Sequence, residues 1–186
     1  MKFTATRLPE VVLIEPKVFS DDRGWFMESF SQQRFNDGLT ALGLTPPRPF
    51  VQDNESASAQ GVLRGLHYQL PPHPQGKLVR VVQGAALDVA VDIRRGSPSF
   101  GQWVSATLSA ANRQQMWIPE GFAHGFVALD DDTRFLYKTT SYYAMACERA
   151  IRWDDPAIGI EWPADLLPRL ATKDAVAPLL IEAELF

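Results

Sequence analysis

The sequence predicts an all-β protein, a sandwich or barrel of the jelly-roll kind, from three observations. Apolar, β-branched segments recur at roughly ten-residue spacing through the middle of the chain. Turn-forming residues separate them: Gln83-Gly84, Arg95-Gly96-Ser97-Pro98, Ala110-Ala111-Asn112 and Asp130-Asp131-Asp132. None of the segments sustains the 3.6-residue period of a helix. Eight strands are expected on this basis: Phe50 to Asn54, Val62 to Gln69, Lys77 to Gln83, Leu87 to Ile93, Trp103 to Leu108, Gln114 to Ile118, Gly125 to Leu129 and Arg134 to Thr140.

Before them, Val11 to Ile14 reads as a first strand, and the turn Ser20-Asp21-Asp22-Arg23-Gly24 leads into the aromatic run Trp25 to Phe30. Trp25 and Phe26 suit either an interface or, as aromatics in a half-buried strand, the core. Ser31 is a candidate N-cap for a short helix from Gln32 to Phe35, with Gly38 as its limit. Thr45-Pro46-Pro47-Arg48-Pro49 is a stiff surface connection, because proline fixes the backbone and lacks an amide donor.

Within the eight strands, Leu87 to Ile93 alternates most cleanly. Leu87, Val89, Val91 and Ile93 share one face, and Asp88, Ala90 and Asp92 share the other. The carboxylates are expected at the sheet surface, solvated or paired with a cation, in preference to a catalytic dyad. After Trp162-Pro163 the tail predicts one short helix across Leu166 to Asp174, then irregular chain.

At 186 residues and 46% hydrophobic, the chain supports one substantial core. A net charge of -4, from 18 basic and 22 acidic residues, argues against a nucleic-acid surface. The single cysteine, Cys147, excludes an intramolecular disulfide and fits a reducing compartment as an incidental thiol. Met1 to Pro9 lacks a signal-peptide run, and nowhere do about 18 apolar residues occur together, so no membrane is expected and the cytosol is.

The chemistry concentrates in Gly61 to Gln69, where a strand pattern is interrupted by Arg64 and His67. Strict alternation separates these two side chains, whereas a bulge at Gly65 turns both inward. A histidine in an apolar strand is either a hydrogen-bonded core residue or a proton-transfer group, since an unperturbed imidazole titrates near neutrality. Jelly rolls of the cupin type often bind metal through a His-x-His pair, a carboxylate and a third histidine in a Pro-x-Gly-x-x-His turn. Pro119-Glu120-Gly121-Phe122-Ala123-His124 supplies the turn, but Gln69 stands where the pair needs its second histidine, and His73 reads as a loop residue. That ligand set is too small for the usual three or four donors, so no metal is expected. Two histidines at one barrel mouth make a proton-transfer site plausible instead. Lys77 and Tyr137 join it as cation and weak acid, though each alone reads better as a surface amine beginning a strand and a core phenol, respectively.

Several strings together resemble the dTDP-4-dehydrorhamnose 3,5-epimerase family. They are Asp22-Arg23-Gly24 with Glu28, Gln52-Asp53-Asn54, Val62 to Gln69, Gln75 to Arg80, Asp88 to Arg94, Trp117 to Phe126 and Tyr137 to Thr140. The resemblance implies a cupin-type jelly roll with few short helices near its ends, needing neither metal nor cofactor. It implies a single domain over residues 1–186, with strands of about 11–30 exchanged in a homodimer, a core of about 50–141 and a C-terminal cap of about 150–186.

The implied substrate is dTDP-4-dehydro-6-deoxy-D-glucose, inverted at carbons 3 and 5 on the route to dTDP-L-rhamnose. His67 is the implied base, oriented by Asp174, with Tyr137 as acid on the opposite sugar face and Lys77 neutralising the enolate oxygen. Arg64 and His124 are implied beside the sugar and phosphates. Arg23, Glu28, Gln52, Asp53, Asn54, Glu148 and Lys173 match the remaining nucleotide-sugar contacts, with Arg23 and Glu28 reaching across the dimer. After Tyr142-Tyr143 the family commonly has Ser-Pro where this chain has Ala144-Met145, which bears on the loop that sets up Glu148. A single-position epimerase or ketoisomerase, a noncatalytic sugar-nucleotide binder and a metal-dependent cupin oxygenase remain the competing readings.

Overall fold

The structure, a computed structural model, describes residues 1–165 and 167–186. Its strands are β1 (Lys2–Ala5), β2 (Val12–Glu15), β3 (Val18–Asp21), β4 (Gly24–Met27), β5 (Gln52–Ser58), β6 (Leu63–Gln69), β7 (Lys77–Gln83) and β8 (Ala85–Asp92). They continue with β9 (Trp103–Ser109), β10 (Gln115–Ile118), β11 (Phe122–Ala128), β12 (Thr133–Thr139) and β13 (Glu148–Ala150). Helix α1 (Gln32–Ala41) follows β4, and the one-turn α2 (Thr172–Ala175) lies in the tail.

Two antiparallel sheets face each other, ordered β1-β2-β10-β7-β12-β5 and β13-β6-β11-β8-β9. The expected jelly-roll class and all eight central strands are present, with β5 running on to Ser58 and β1 and β13 added at the sheet edges. Between the sheets lies a core that includes Val79, Val81, Ala86, Ala90, Met116, Phe126 and Phe135.

The alternation of β8 holds, but its two faces are used the opposite way from expectation. Val89, Val91 and Ile93 pack outward against Ile151, Ile158, Leu180 and Ala183 of the C-terminal segment. Ala86 and Ala90 join the inter-sheet core. Asp88 and Asp92 are therefore wholly buried, not solvated at a sheet surface. Asp92 does find a cation, Arg94 at 2.7 Å, and also accepts from Ser97 and Ser99. The tail is thus a cover that lets the carboxylate face of β8 turn inward.

Helix α1 also differs from expectation. Ser31 caps it, its side chain accepting from Arg34 N–H, but the helix runs through Gly38 to Ala41. Gly38 is a contact residue, because a Cβ there would collide with the Phe3 ring. The helix lays Phe35 and Leu39 on Val12, Ile14, Leu78 and Trp117. In the tail, helix covers only Thr172–Ala175, and Leu166 of the expected helix lies outside the described residues.

Strands β3 and β4 form a two-stranded ribbon that pairs with no other strand among the described residues. Trp25 is 56% and Phe26 68% exposed, which excludes the core reading for both. Among the described residues no helix is long and apolar enough to cross a membrane.

Candidate active site

A cavity of about 530 Å³ opens between the two sheets, lined among others by Arg64, His67, Lys77, His124, Tyr137, Glu148, Lys173 and Asp174. Its first side chains come from β6. Opposite β11, His67 pairs with His124 while Arg64 pairs with Phe126, so β6 carries an extra residue between them. This is the bulge at Gly65, and it brings Arg64 and His67 into one cavity. Gly65 has φ +135°, and a Cβ there would run into the Gly125 backbone. No other residue fits that crossing.

His67 Nε2 lies 2.6 Å from Asp174 Oδ1, and Nδ1 has no hydrogen-bond partner among the described residues. Asp174 sits on α2 and is 1% exposed. Burial works against its ionised form, but the His67 hydrogen bond and charge, with a backbone donor from Gly65, hold its carboxyl below the usual range. The sequence expectation that these two residues meet across 107 positions agrees with the fold.

Lys77 opens β7 in the other sheet, and its Nζ reaches across to the His67 carbonyl at 3.2 Å. Burial lowers its pKa to about 8, against the opposing pull of Asp88 and Glu148. It is not a surface amine. Tyr137 stands on β12, next to β7. Burial raises its pKa, partly offset by Arg64.

Asp88, read from sequence as a surface group, is the functional neighbour that pattern alone misplaced. Its Oδ1 lies 2.7 Å from His124 Nε2, and its Oδ2 has no hydrogen-bond partner among the described residues. Burial pushes the Asp88 carboxyl up and the His124 imidazole down, while each opposes the shift in the other. The only sequence signal was that Asp88 shares a strand face with small Ala90, where space for a buried polar pair exists.

Glu148 lies on β13 opposite Gln69 of β6. In the Ala144-Met145 loop, Ala144 N–H donates to Gln69 Oε1 at 2.9 Å. Lys173 donates to Glu148 at 2.9 Å and Tyr143 O–H donates at 3.0 Å. These bonds hold its carboxyl low despite burial. Tyr143 is a lining residue that sequence reading missed.

Five expected contacts do not line the cavity in this chain. Arg23 is at the tip of the β3–β4 ribbon, paired with Asp21 at 2.6 Å, and Glu28 pairs with Arg34 at 3.3 Å. Gln52, Asp53 and Asn54 lie on β5 beside Tyr137 and its neighbours, where Asp53 pairs with Lys138 and Gln52 accepts from Tyr143 N–H. Among the described residues no group of three or more His, Cys, Asp or Glu gathers to hold a metal ion. His73 lies in an exposed loop, and Cys147 is a free, partly exposed thiol.

The fold is a cupin-type jelly roll whose cavity gathers a carboxylate-backed histidine on one sheet and a tyrosine and buried lysine on the other. A sequence profile described as dTDP-4-dehydrorhamnose 3,5-epimerase matches residues 5–182. The chain belongs to that family. A dTDP-4-dehydrorhamnose 3,5-epimerase from Salmonella typhimurium is 56% identical over 96% of this chain and 94% of its own length. The structure of dTDP-6-deoxy-D-glucose-3,5-epimerase from Legionella pneumophila, in complex with dTDP-4-keto-L-rhamnose, is 49% identical. It superposes with a TM-score of 0.90 over 97% of this chain and 93% of that one. A 3'-monoepimerase from Streptomyces bikiniensis, in complex with dTDP-quinovose, is 36% identical, with a TM-score of 0.86 over 97% and 88%.

Proposed function

We propose that the protein epimerises dTDP-4-dehydro-6-deoxy-D-glucose at carbons 3 and 5, giving dTDP-4-dehydro-L-rhamnose for dTDP-L-rhamnose synthesis. The observation that carries this reading is the placement of His67 and Tyr137 on opposite sheets of one cavity, with Lys77 spanning between them. The ketone at carbon 4 acidifies the hydrogens on carbons 3 and 5, so one base serves both positions through enolates that share an oxygen. His67 takes the proton at Nδ1, and Asp174 on Nε2 steadies the tautomer and the imidazolium that forms. Lys77 stabilises the enolate oxygen, a role whose loss typically costs about 3 to 4 kcal/mol of barrier. Inversion requires a proton from the other face, and Tyr137 supplies it.

Arg64, His124, Glu148 and Lys173 hold the substrate from the cavity walls. Arg23 and Glu28 contribute across a homodimer, in which the unpartnered β3–β4 ribbon inserts into a second copy. Its exposed Phe19, Trp25 and Phe26 support that arrangement. Gln52, Asp53 and Asn54, on β5 but outside the cavity lining, meet the part of the nucleotide-sugar that extends beyond it. The protein works in the cytosol, as a free thiol and a nucleotide-sugar substrate suggest.

A single-position epimerase is the second reading, favoured by the shared fold of the 3'-monoepimerase. The greater identity to 3,5-epimerases ranks it lower. Proton NMR of the reaction in D₂O, with product trapped by a partner reductase, distinguishes the two. Signal loss at both carbons with L-lyxo product supports double epimerisation, loss at one carbon reassigns the enzyme, and loss at neither sinks both.

A further inference from the structure

Asp155 has no part in the proposed chemistry, yet it is a carboxylate with only 3% of its surface exposed. It forms no ion pair among the described residues. Both oxygens instead accept backbone N–H groups, Oδ1 from Ala157 at 2.7 Å and Oδ2 from Leu180 at 2.5 Å. Beside it, Arg152 N–H donates to Pro178 O at 2.8 Å. The loop at 152–157 thereby grips the tail at 178–180.

A second anchor lies upstream. Arg169 N–H donates to Gly61 O at 2.8 Å, and Leu63 N–H donates to Arg169 O at 3.0 Å. Asp174 hangs between the two anchors, on a one-turn helix whose N-cap residue Ala171 offers no side-chain hydrogen bond. A single turn has no stability of its own, so its place is set by what holds its ends. Apolar packing of Ile158, Leu180 and Ala183 attaches the tail but is non-directional, whereas two N–H bonds to one carboxylate fix its register. An asparagine would keep one acceptor and turn its amide NH₂ toward the other N–H.

We propose that Asp155 is a positioning residue that, through Leu180, holds α2 where Asp174 meets His67. This rests on the reading of His67 as base. In the full-length protein, Asp155→Asn is expected to lower kcat about tenfold to a hundredfold with little change in KM, as small misplacements of catalytic groups do. Asp155→Ser, whose short hydroxyl can accept from Ala157 but not reach Leu180, should lower kcat likewise, and keeps the test open if the asparagine variant folds poorly.

Two further readouts distinguish positioning from general destabilisation. Amide hydrogen exchange should quicken at Asp174 and Leu180 while the amides of β8 and β11 stay protected. Unchanged exchange at Asp174 would overturn the proposal. In an Asp174→Asn background, Asp155→Asn should cause no further loss of activity, and multiplying losses would mean that Asp155 acts independently of the dyad. Wild-type protein inactive in the D₂O assay would remove the functional reading alone, because the exchange comparison does not depend on turnover.

Discussion

Asp88 Oδ1 lies 2.7 Å from His124 Nε2 in the floor of the cavity, and Asp88 also raises the proton affinity of the buried Lys77 nearby. The carboxylate thus supports two residues at once. Asp88→Asn should weaken the hold of Lys77 on its proton, moving the alkaline limb of kcat/KM to lower pH than in wild type. An unmoved limb would separate Asp88 from Lys77.

The wild-type limb has its own expectation. Only the protonated amine stabilises an enolate oxygen, and burial brings Lys77 to about 8. Activity in kcat/KM should therefore fall as pH rises through about 8, and Lys77→Met should remove that limb along with most of the rate. A wild-type profile flat to pH 10 would exclude the assignment.

In the proposed mechanism His67 and Tyr137 divide abstraction from reprotonation. His67→Asn should lower solvent exchange at both carbons by roughly 10²- to 10⁴-fold. Tyr137→Phe should still exchange substrate hydrogen with solvent while forming little inverted product. Full inversion by that variant would remove Tyr137 from the mechanism.

The β3–β4 ribbon predicts sharing between copies. Arg23→Ala and His67→Asn proteins should each be impaired, and mixing them under exchange conditions should restore activity, since a mixed dimer holds one cavity with both side chains intact. Failure to recover activity, with mixed dimers verified by mass, would place Arg23 outside any shared site.

Acid stability has a separate source in Asp92. Burial opposes its ionisation, but bonds from Arg94, Ser97 and Ser99 bring its pKa to about 2, below the ordinary carboxylate range. A depressed carboxylate pKa stabilises the fold above the unfolded value, and that contribution fades as pH falls toward the folded one. It is on the order of 2 kcal/mol. Urea titrations should show wild type ahead of Asp92→Asn at pH 5, with the margin shrinking between about pH 4 and pH 2.

The central strands were legible because two-residue periodicity and turn chemistry are local. The bulge at Gly65 was legible only as an alternative to strict alternation, because a glycine shows where a strand can break step without showing that it does. Which face of β8 turns inward was not, because periodicity separates faces without saying what covers them. Only the tail packed on Val89, Val91 and Ile93 decides that. Gly38 misled for a related reason: a helix tolerates glycine when the absent Cβ makes room for a distant ring, here that of Phe3. The meeting of His67 with Asp174 came from family resemblance, since no local pattern links residues so far apart.

That last separation governs when the protein becomes competent during its own synthesis. Asp174, whose carboxylate orients the imidazole in the proposed mechanism, is the 107th residue that the ribosome adds after His67. Most strands of both sheets have by then been translated, so the sandwich can begin to assemble with an unoriented imidazole in its cavity. Nascent chains stalled before Asp174 would carry β1 to β13 but lack both that carboxylate and the Leu180 and Ala183 that cover Val89, Val91 and Ile93, which makes activity a late report of finished translation.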